Sequence, residues 1–221
     1  MGGASTEMDA TIASAGVTYD DSTVFDGATA ISVSSWCYID GTGSTTDAIF
    51  AKWNNSLRSF LFEVNPTGNV PQLFWPSPFP SGNFNFTLPT GSWSFISLCC
   101  DLGSNTYTAF QDGVAISGET ASGTAPASIA AGDSNITVGR RDFDNASLIF
   151  DGKLAYIQSH TKVISLNEHL EMMYKPGSVT DQLVWYAPLV DDNRKDLYSS
   201  VSGTTVSGTT FSNNGPPVQF Y

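Results

Sequence analysis

The sequence predicts an all-β protein, a two-sheet antiparallel sandwich with one short helix in its C-terminal half. Three observations carry that expectation. Short runs rich in β-branched and aromatic residues recur along the chain, each bounded by Gly, Pro, Asn, Asp or Ser. Only one segment carries a helix start signal. The 221 residues are 41% hydrophobic, with 14 Phe, 8 Tyr and 5 Trp, which suffices for the interior of two facing sheets and suits the size one sandwich reaches.

The expected strands cover residues 29–39, 60–64, 70–75, 93–101, 106–111, 136–138, 148–159 and 183–189. In the first of them Ala30 to Ile39 alternates imperfectly, which points to one packed face and one wetter face. Trp36 and Trp93 are expected to fill the space between the sheets, about 10 Å across. The helix begins at Ser165-Leu166-Asn167-Glu168, a capping box, with Leu166, Leu170, Met173 and Tyr174 on one side and Pro176-Gly177 as the stop. That side is expected to cover a sheet edge or the sandwich base.

Residues 115–133 and 199–217 have loop composition, and the near-repeat at 201–210, Val-Ser-Gly-Thr-Thr twice, is too short for a solenoid unit. The expected organisation is therefore one sandwich over residues 1–198, with 199–221 as a Ser/Gly/Thr-rich arm or edge hairpin.

Charge narrows the partners. With 21 Asp and Glu against 9 Lys and Arg, the formal net charge is −12, which repels phosphate backbones and anionic headgroups and makes nucleic acid and membranes poor partners. No apolar stretch approaches the ~20 residues of a bilayer span, and the first residues lack the basic and apolar regions of an export signal. Cys37, Cys99 and Cys100 form no even framework, and neighbours on a strand face opposite ways, so reduced thiols and assembly in a reducing cytoplasm are expected.

Small motifs then follow in a characteristic order. Phe25-Asp26-Gly27 precedes a strand ending in Trp36. Trp93-Ser94-Phe95-Ile96 is followed by an aromatic strand, Tyr107 to Phe110, that closes on Asp112-Gly113. Ile136-Thr137-Val138-Gly139 comes next, then a second Phe-Asp-Gly at Phe150-Asp151-Gly152 and the helix from Ser165 to Tyr174. Asp-Gly at these corners lets glycine take positive φ while the carboxylate bonds nearby amides.

Taken together, residues 24–175 resemble the laminin-G-like jelly rolls of the concanavalin A-like lectin and glucanase superfamily, and the closing Gly-Pro-Pro-Val resembles phage-encoded versions. The resemblance implies a jelly-roll sandwich of lectin type. One departure is that Leu183 to Leu189, followed by Asp191-Asp192-Asn193 and Asp196, looks like the strand that opens such domains, so the chain order resembles a circular permutation.

Enzymatic chemistry is not expected. Glucanases of that superfamily set paired carboxylates about 5 Å apart on one strand, whereas Glu7, Glu63, Glu119, Glu168 and Glu171 are scattered, with the one close pair on the helix. His160 and His169 lack a zinc-ligand pattern. Calcium is the cofactor to weigh, through the oxygen ligands Asp191, Asp192, Asn193 and Asp196, with Asp142, Asp144 and Asn145 as a second cluster. The run Leu73 to Pro80 places Phe74, Trp75 and Phe79 where exposed rings could stack on sugars or anchor a protein interface.

The function these features favour is a non-enzymatic virion structural protein: a capsid decoration, head-fibre or tail-associated sandwich that binds neighbouring capsid proteins or host-surface glycans, as a homo-oligomer. The alternative is a calcium-assisted carbohydrate-binding module. Glycoside hydrolysis ranks third.

Overall fold

Residue parity along each strand decides what the two sheets bury. The computed structural model describes residues 5–8, 16–41, 47–54, 56–79, 81–121, 123–141, 148–190, 195–198, 202–205, 209–212 and 215–217. Its strands are β1 (Ser5–Met8), β2 (Val17–Tyr19), β3 (Ala30–Ile39), β4 (Asp47–Trp53), β5 (Arg58–Asn65), β6 (Val70–Phe74), β7 (Gly82–Asn83), β8 (Trp93–Asp101), β9 (Thr106–Gln111), β10 (Val114–Ile116), β11 (Thr120–Ala121), β12 (Ile136–Val138), β13 (Gly152–His160), β14 (Leu183–Ala187), β15 (Thr204–Thr205) and β16 (Thr210–Ser212), with one helix, α1 (Leu166–Tyr174).

Two eight-stranded sheets result. The first runs β10-β9-β8-β3-β13-β1-β16, with β14 beside the second half of β13; the other runs β11-β7-β6-β5-β4-β12-β2-β15. The strand expected to open the domain, β14, thus lies on the same flank of β13 as β1. The segment after Tyr198 supplies β16 to one sheet and β15 to the other.

Along β3 the odd residues Ile31, Val33, Cys37 and Ile39 enter the main core between the sheets. From the facing sheet come Phe50, Phe60, Phe62, Val64 and Leu73. Trp185 of β14 crosses the gap, its ring 4.9 Å from both Phe50 and Tyr19, in the tilted and edge-on geometries that aromatic quadrupoles favour.

Trp36 and Trp93 are not part of that interior. Trp36 has the opposite parity and sits on the outer face of the first sheet with Phe95, Phe110, Tyr156, Met172 and Met173, and Trp93 packs against the same cluster. The reason is α1, which covers this outer face rather than an edge or the base, so both faces of β3 and β8 are buried and both parities must be apolar or paired.

The helix starts as its sequence requires. Ser165 Oγ accepts from Glu168 N at 3.3 Å, and Glu168 Oε2 accepts from Ser165 N at 2.7 Å. Its buried residues are His169, Met172 and Met173, whereas Tyr174 is exposed. Beneath it, small serines leave room for a polar chain. Gly113 N donates to His169 Nε2 at 3.1 Å, which leaves Nδ1 to carry the proton toward Ser97 Oγ at 2.8 Å, and Ser97 meets Ser34 Oγ at 2.8 Å. Burial pushes the His169 pKa down to about 4, so the ring is neutral at pH 7.

The Asp-Gly corners do the work their sequence suggests. Asp112 (φ 49°) and Gly113 (φ 83°) turn β9 into β10, and Asp112 Oδ1 accepts from Phe95 N at 2.8 Å. At Gly152 a Cβ would stand 1.9 Å from the Tyr38 carbonyl oxygen, so only glycine lets β13 lie against β3. Cys37, Cys99 and Cys100 are free and buried. Cys99 faces the helix and Cys100 the main core, and burial pushes the three thiols up to about 12, 11 and 12.

Candidate functional site

Among the described residues no helix lies over the outer face of the second sheet, and the parity of β5 and β6 sets what it presents. Phe60, Phe62 and Val64 of β5 turn inward, so Leu61, Glu63 and Asn65 turn out; Leu73 turns inward, so Val70, Gln72 and Phe74 turn out. Cross-strand register then assembles rows. Glu63 lies opposite Ala48 and Gln72, Gln72 opposite Asn83, and Asn83 opposite Thr120. In the next row Leu61 lies between Ala51 and Phe74.

The first row is a ladder of amides. Gln72 Nε2 donates to Asn83 Oδ1, and Asn65 Nδ2 donates to Gln72 Oε1 at 3.4 Å. These bonds fix the amide planes while each side chain keeps further donor or acceptor capacity. Asn65, Gln72, Asn83 and Phe74 are all partly exposed. Phe74 packs on an apolar floor of Ala48, Ala51, Trp53 and Leu61, and the Arg58 guanidinium lies 5.3 Å from the Trp53 ring centroid. An aromatic ring beside fixed amides offers a surface for C–H groups and paired donors and acceptors for hydroxyls.

Of the three aromatic residues expected to form a binding surface, Phe74 belongs to this strip. Phe79 is 40% exposed in the turn that follows β6, where its N donates to the Pro76 carbonyl at 3.1 Å. Trp75 is a correction. It is only 3% exposed, lies in the main core, and its Nε1 donates to Tyr107 Oη at 3.0 Å. Because β9 belongs to the first sheet, this bond ties the sheets together, and burial pushes the Tyr107 hydroxyl up to about 12. A turn after an alternating strand keeps the strand's inward parity for one more residue, and Trp75 obeys it.

Asp191, Asp192, Asn193, Asp142, Asp144 and Asn145 lie outside the described residues. Asp196 is fully buried, and its Oδ1 accepts from Tyr186 N at 2.8 Å and Tyr198 N at 3.0 Å. An oxygen committed to two amides fits a calcium-ligand role poorly. Among the described residues no group of three or more His, Cys, Asp or Glu side chains is placed to hold a metal ion.

Two of the glutamates take structural duties. Glu168 caps α1, and Glu119 Oε1 accepts from Ala109 N at 3.2 Å. Both histidines are packed, with His160 Nε2 2.9 Å from the Val179 carbonyl. No helix among the described residues is long and apolar enough to cross a membrane. The amide ladder is not among the expectations from sequence. Its signal was present in Val70-Pro71-Gln72-Leu73-Phe74, where Gln72 shares parity with Phe74 and so shares its face.

Two antiparallel sheets with a buried aromatic layer, one helix on one outer face and a partly exposed polar and aromatic strip on the other, define a sandwich of lectin type. Residues 11–168 match the laminin G model described as Concanavalin A-like lectin/glucanases superfamily, and the chain belongs to that family.

Solved structures agree on the fold. A protein from Bacteroides ovatus ATCC 8483, named for carbohydrate binding, is similar over 99% of this chain and 62% of its own, at 11% identity and TM-score 0.70; the chain thus spans under two thirds of that protein. The heptameric SAP-like pentraxin of Limulus polyphemus is similar over 96% of this chain and 95% of its own, at 9% identity and TM-score 0.69. The CBM40 module of the Ruminococcus gnavus IT-sialidase, bound to α2,3 sialyllactose, is similar over 72% and 93%, at 15% identity and TM-score 0.53. A search of curated proteins finds no significant match.

Proposed function

We propose that this chain is a non-catalytic glycan-binding sandwich whose binding face is the outer strip of the second sheet. The observation that carries the reading is the bonded ladder Asn65–Gln72–Asn83 beside the partly exposed Phe74 ring. Phe74 supplies the stacking surface, Gln72 and Asn83 the hydroxyl partners, and Phe79 a second ring at the rim. Support also comes from the similar Bacteroides ovatus and CBM40 proteins, both named for or shown with carbohydrate.

A glycan array probed with the full chain tests this. Binding should be present and should fall about tenfold or more in Phe74→Ala and Gln72→Ala, with Trp75→Phe retaining it. An array on which the folded protein binds no carbohydrate overturns the proposal.

We further propose that the protein does this as a virion component, a capsid decoration, head-fibre or tail-associated subunit acting as a homo-oligomer. Three buried, unpaired thiols favour folding in a reducing cytoplasm, and the pentraxin neighbour is an oligomer of the same sandwich. Detection in purified particles together with a native mass above one chain supports it; a monomer absent from particles removes it. Calcium enters through Asp191, Asp192 and Asn193, without Asp196, whose Oδ1 is taken by two backbone amides. Millimolar calcium should then raise Tm, and a Tm unmoved by calcium and by chelator removes the ion.

A further inference from the structure

The outer face of the first sheet carries a second aromatic surface beside the cluster that α1 covers. Register places Tyr38 of β3 between Lys153 of β13 and Trp93 of β8, and the next row holds Ala155, Trp36 and Phe95. Residues two positions apart on a strand share a face, so both rows point away from the main core. The helix sits over the Phe95 side, where the His169 ring lies 4.9 Å from Phe95 and 5.4 Å from Phe110. Tyr38 and Trp93 are left partly exposed.

Their neighbours fix the rings and leave donors over. Tyr38 and Trp93 meet edge to face, with centroids 5.6 Å apart. Lys153 Nζ lies 4.5 Å from the Tyr38 centroid and 3.2 Å from each Asp40 carboxylate oxygen. The ammonium is thus committed to one ring face and one carboxylate, while the Asp40 side chain, 40% exposed, keeps accepting capacity toward solvent. The Nε1 groups of Trp36 and Trp93 are buried without a hydrogen-bond partner. An indole only donates, and a buried N–H with no acceptor is costly. Trp75 shows the contrast, since its Nε1 is satisfied by Tyr107 Oη.

A ligand for this row presents C–H groups to the rings, oxygen acceptors to the indoles and a hydroxyl donor to Asp40. A neutral pyranose has all three. A carboxylate offers Asp40 no donor, meets an ammonium already paired, and approaches a chain of net charge −12. Three adjacent strands span about 10 Å, room for one or two sugar rings.

We infer that Tyr38, Trp93 and Asp40 form a second site, for a neutral pyranose, in which Nε1 of Trp36 and Trp93 donates to sugar oxygens as the partly exposed Trp93 ring shifts to admit the ligand. The site lies on the opposite side of the sandwich from the strip of the second sheet and does not depend on it. So small a contact binds at about millimolar strength, below what an array detects.

The test is the indole N–H region of the NMR spectrum of the nitrogen-labelled full chain, titrated with cellotetraose, xylotetraose, mannotetraose and lactose. The five Trp signals are assigned with Trp36→Phe, Trp53→Phe and Trp93→Phe. At least one sugar should move the Trp36 and Trp93 signals along one saturable curve. Tyr38→Ala should weaken that binding about tenfold or more and Phe74→Ala should leave it unchanged, with circular dichroism native in both. Trp53, in the floor beneath Phe74, reports separately on the strip of the second sheet. Movement of Trp53 while Trp36 and Trp93 stay fixed overturns this inference and leaves the strip intact. Movement of Trp36 and Trp93 without Trp53 supports it and confines binding to this face. No movement of Trp36 or Trp93 with any of the four sugars overturns it.

Discussion

Lys52 offers the sharpest test of how this sandwich is held together. Its side chain is fully buried on the inward face of β4. There Nζ lies 3.0 Å from Asp21 Oδ1 and 3.0 Å from Asp26 Oδ1, and donates to the Ser22 carbonyl at 2.7 Å. Replacing it in Lys52→Met keeps the aliphatic stem and removes the ammonium. At an effective dielectric of about 20, each 3 Å pair carries roughly 5 kcal/mol of attraction, most of it offset by the ammonium's lost hydration.

What remains after the substitution decides the net effect. Asp21 and Asp26 side chains are 30% and 22% exposed, so they rehydrate in part, and the cost falls at the lower end of the ~3–5 kcal/mol seen for broken buried pairs. Loss of about 3 kcal/mol corresponds to a fall in Tm of about 6–12 °C for a domain of this size. Urea unfolding and a thermal scan read both numbers, and Lys52→Met combined with Asp26→Asn should recover part of the loss. A loss below about 1 kcal/mol would refute the reasoning, because it would mean the ammonium contributes no more than a surface pair.

The remaining predictions address the helix, the sheet clasp and one corner. His169 is neutral in the fold, its pKa lowered by burial from 6.5 to about 4, and burial also lowers that of His160. The unfolded chain therefore binds more protons below pH 6.5, and stability should fall as pH drops from 6.5 toward 4, by up to ~3 kcal/mol through His169; a His169→Gln variant with an unchanged pH slope would contradict this. Trp75→Phe should cost about 1–3 kcal/mol by leaving the Tyr107 hydroxyl without its indole donor, measured by urea unfolding, with glycan affinity unchanged. Gly152→Ala must displace β13 from the Tyr38 carbonyl and should lower Tm by more than 10 °C or prevent soluble expression; a native-like Tm would show that the corner yields.

Legibility from sequence followed the physics of burial. Strands with Gly, Asn or Asp at their ends were readable nearly to the residue, as at β8, β9 and β12, because turn chemistry is local. The segment of β4 was not, since Asp47, Ala48, Ala51 and Lys52 read as polar or helix-forming, and only Asp21 and Asp26, distant in sequence, neutralise the lysine. Trp36 lies on the outer face, opposite in parity to Ile31, Val33, Cys37 and Ile39; a helix packed outside a sheet erases the polar alternation that marks a solvent face, so sequence alone points Trp36 inward. In α1 the capping box fixed the start, while the buried stripe moved to His169, Met172 and Met173 because the serines below accept an imidazole. The parity of Gln72 and Phe74 puts both on one face, but Asn65 and Asn83 join them only through register between three strands, which no local pattern announces.

The segment that supplies β15 and β16 sits at one outer border of each sheet, next to β2 and β1. Each of these additions occupies backbone donors and acceptors that would otherwise template the association of another chain. A version shortened to end at Tyr198 would carry two bared strands on the same flank. Protein prepared that way would be prone to self-assembly in solution, and its oligomer size would report on the truncation and not on the native molecule.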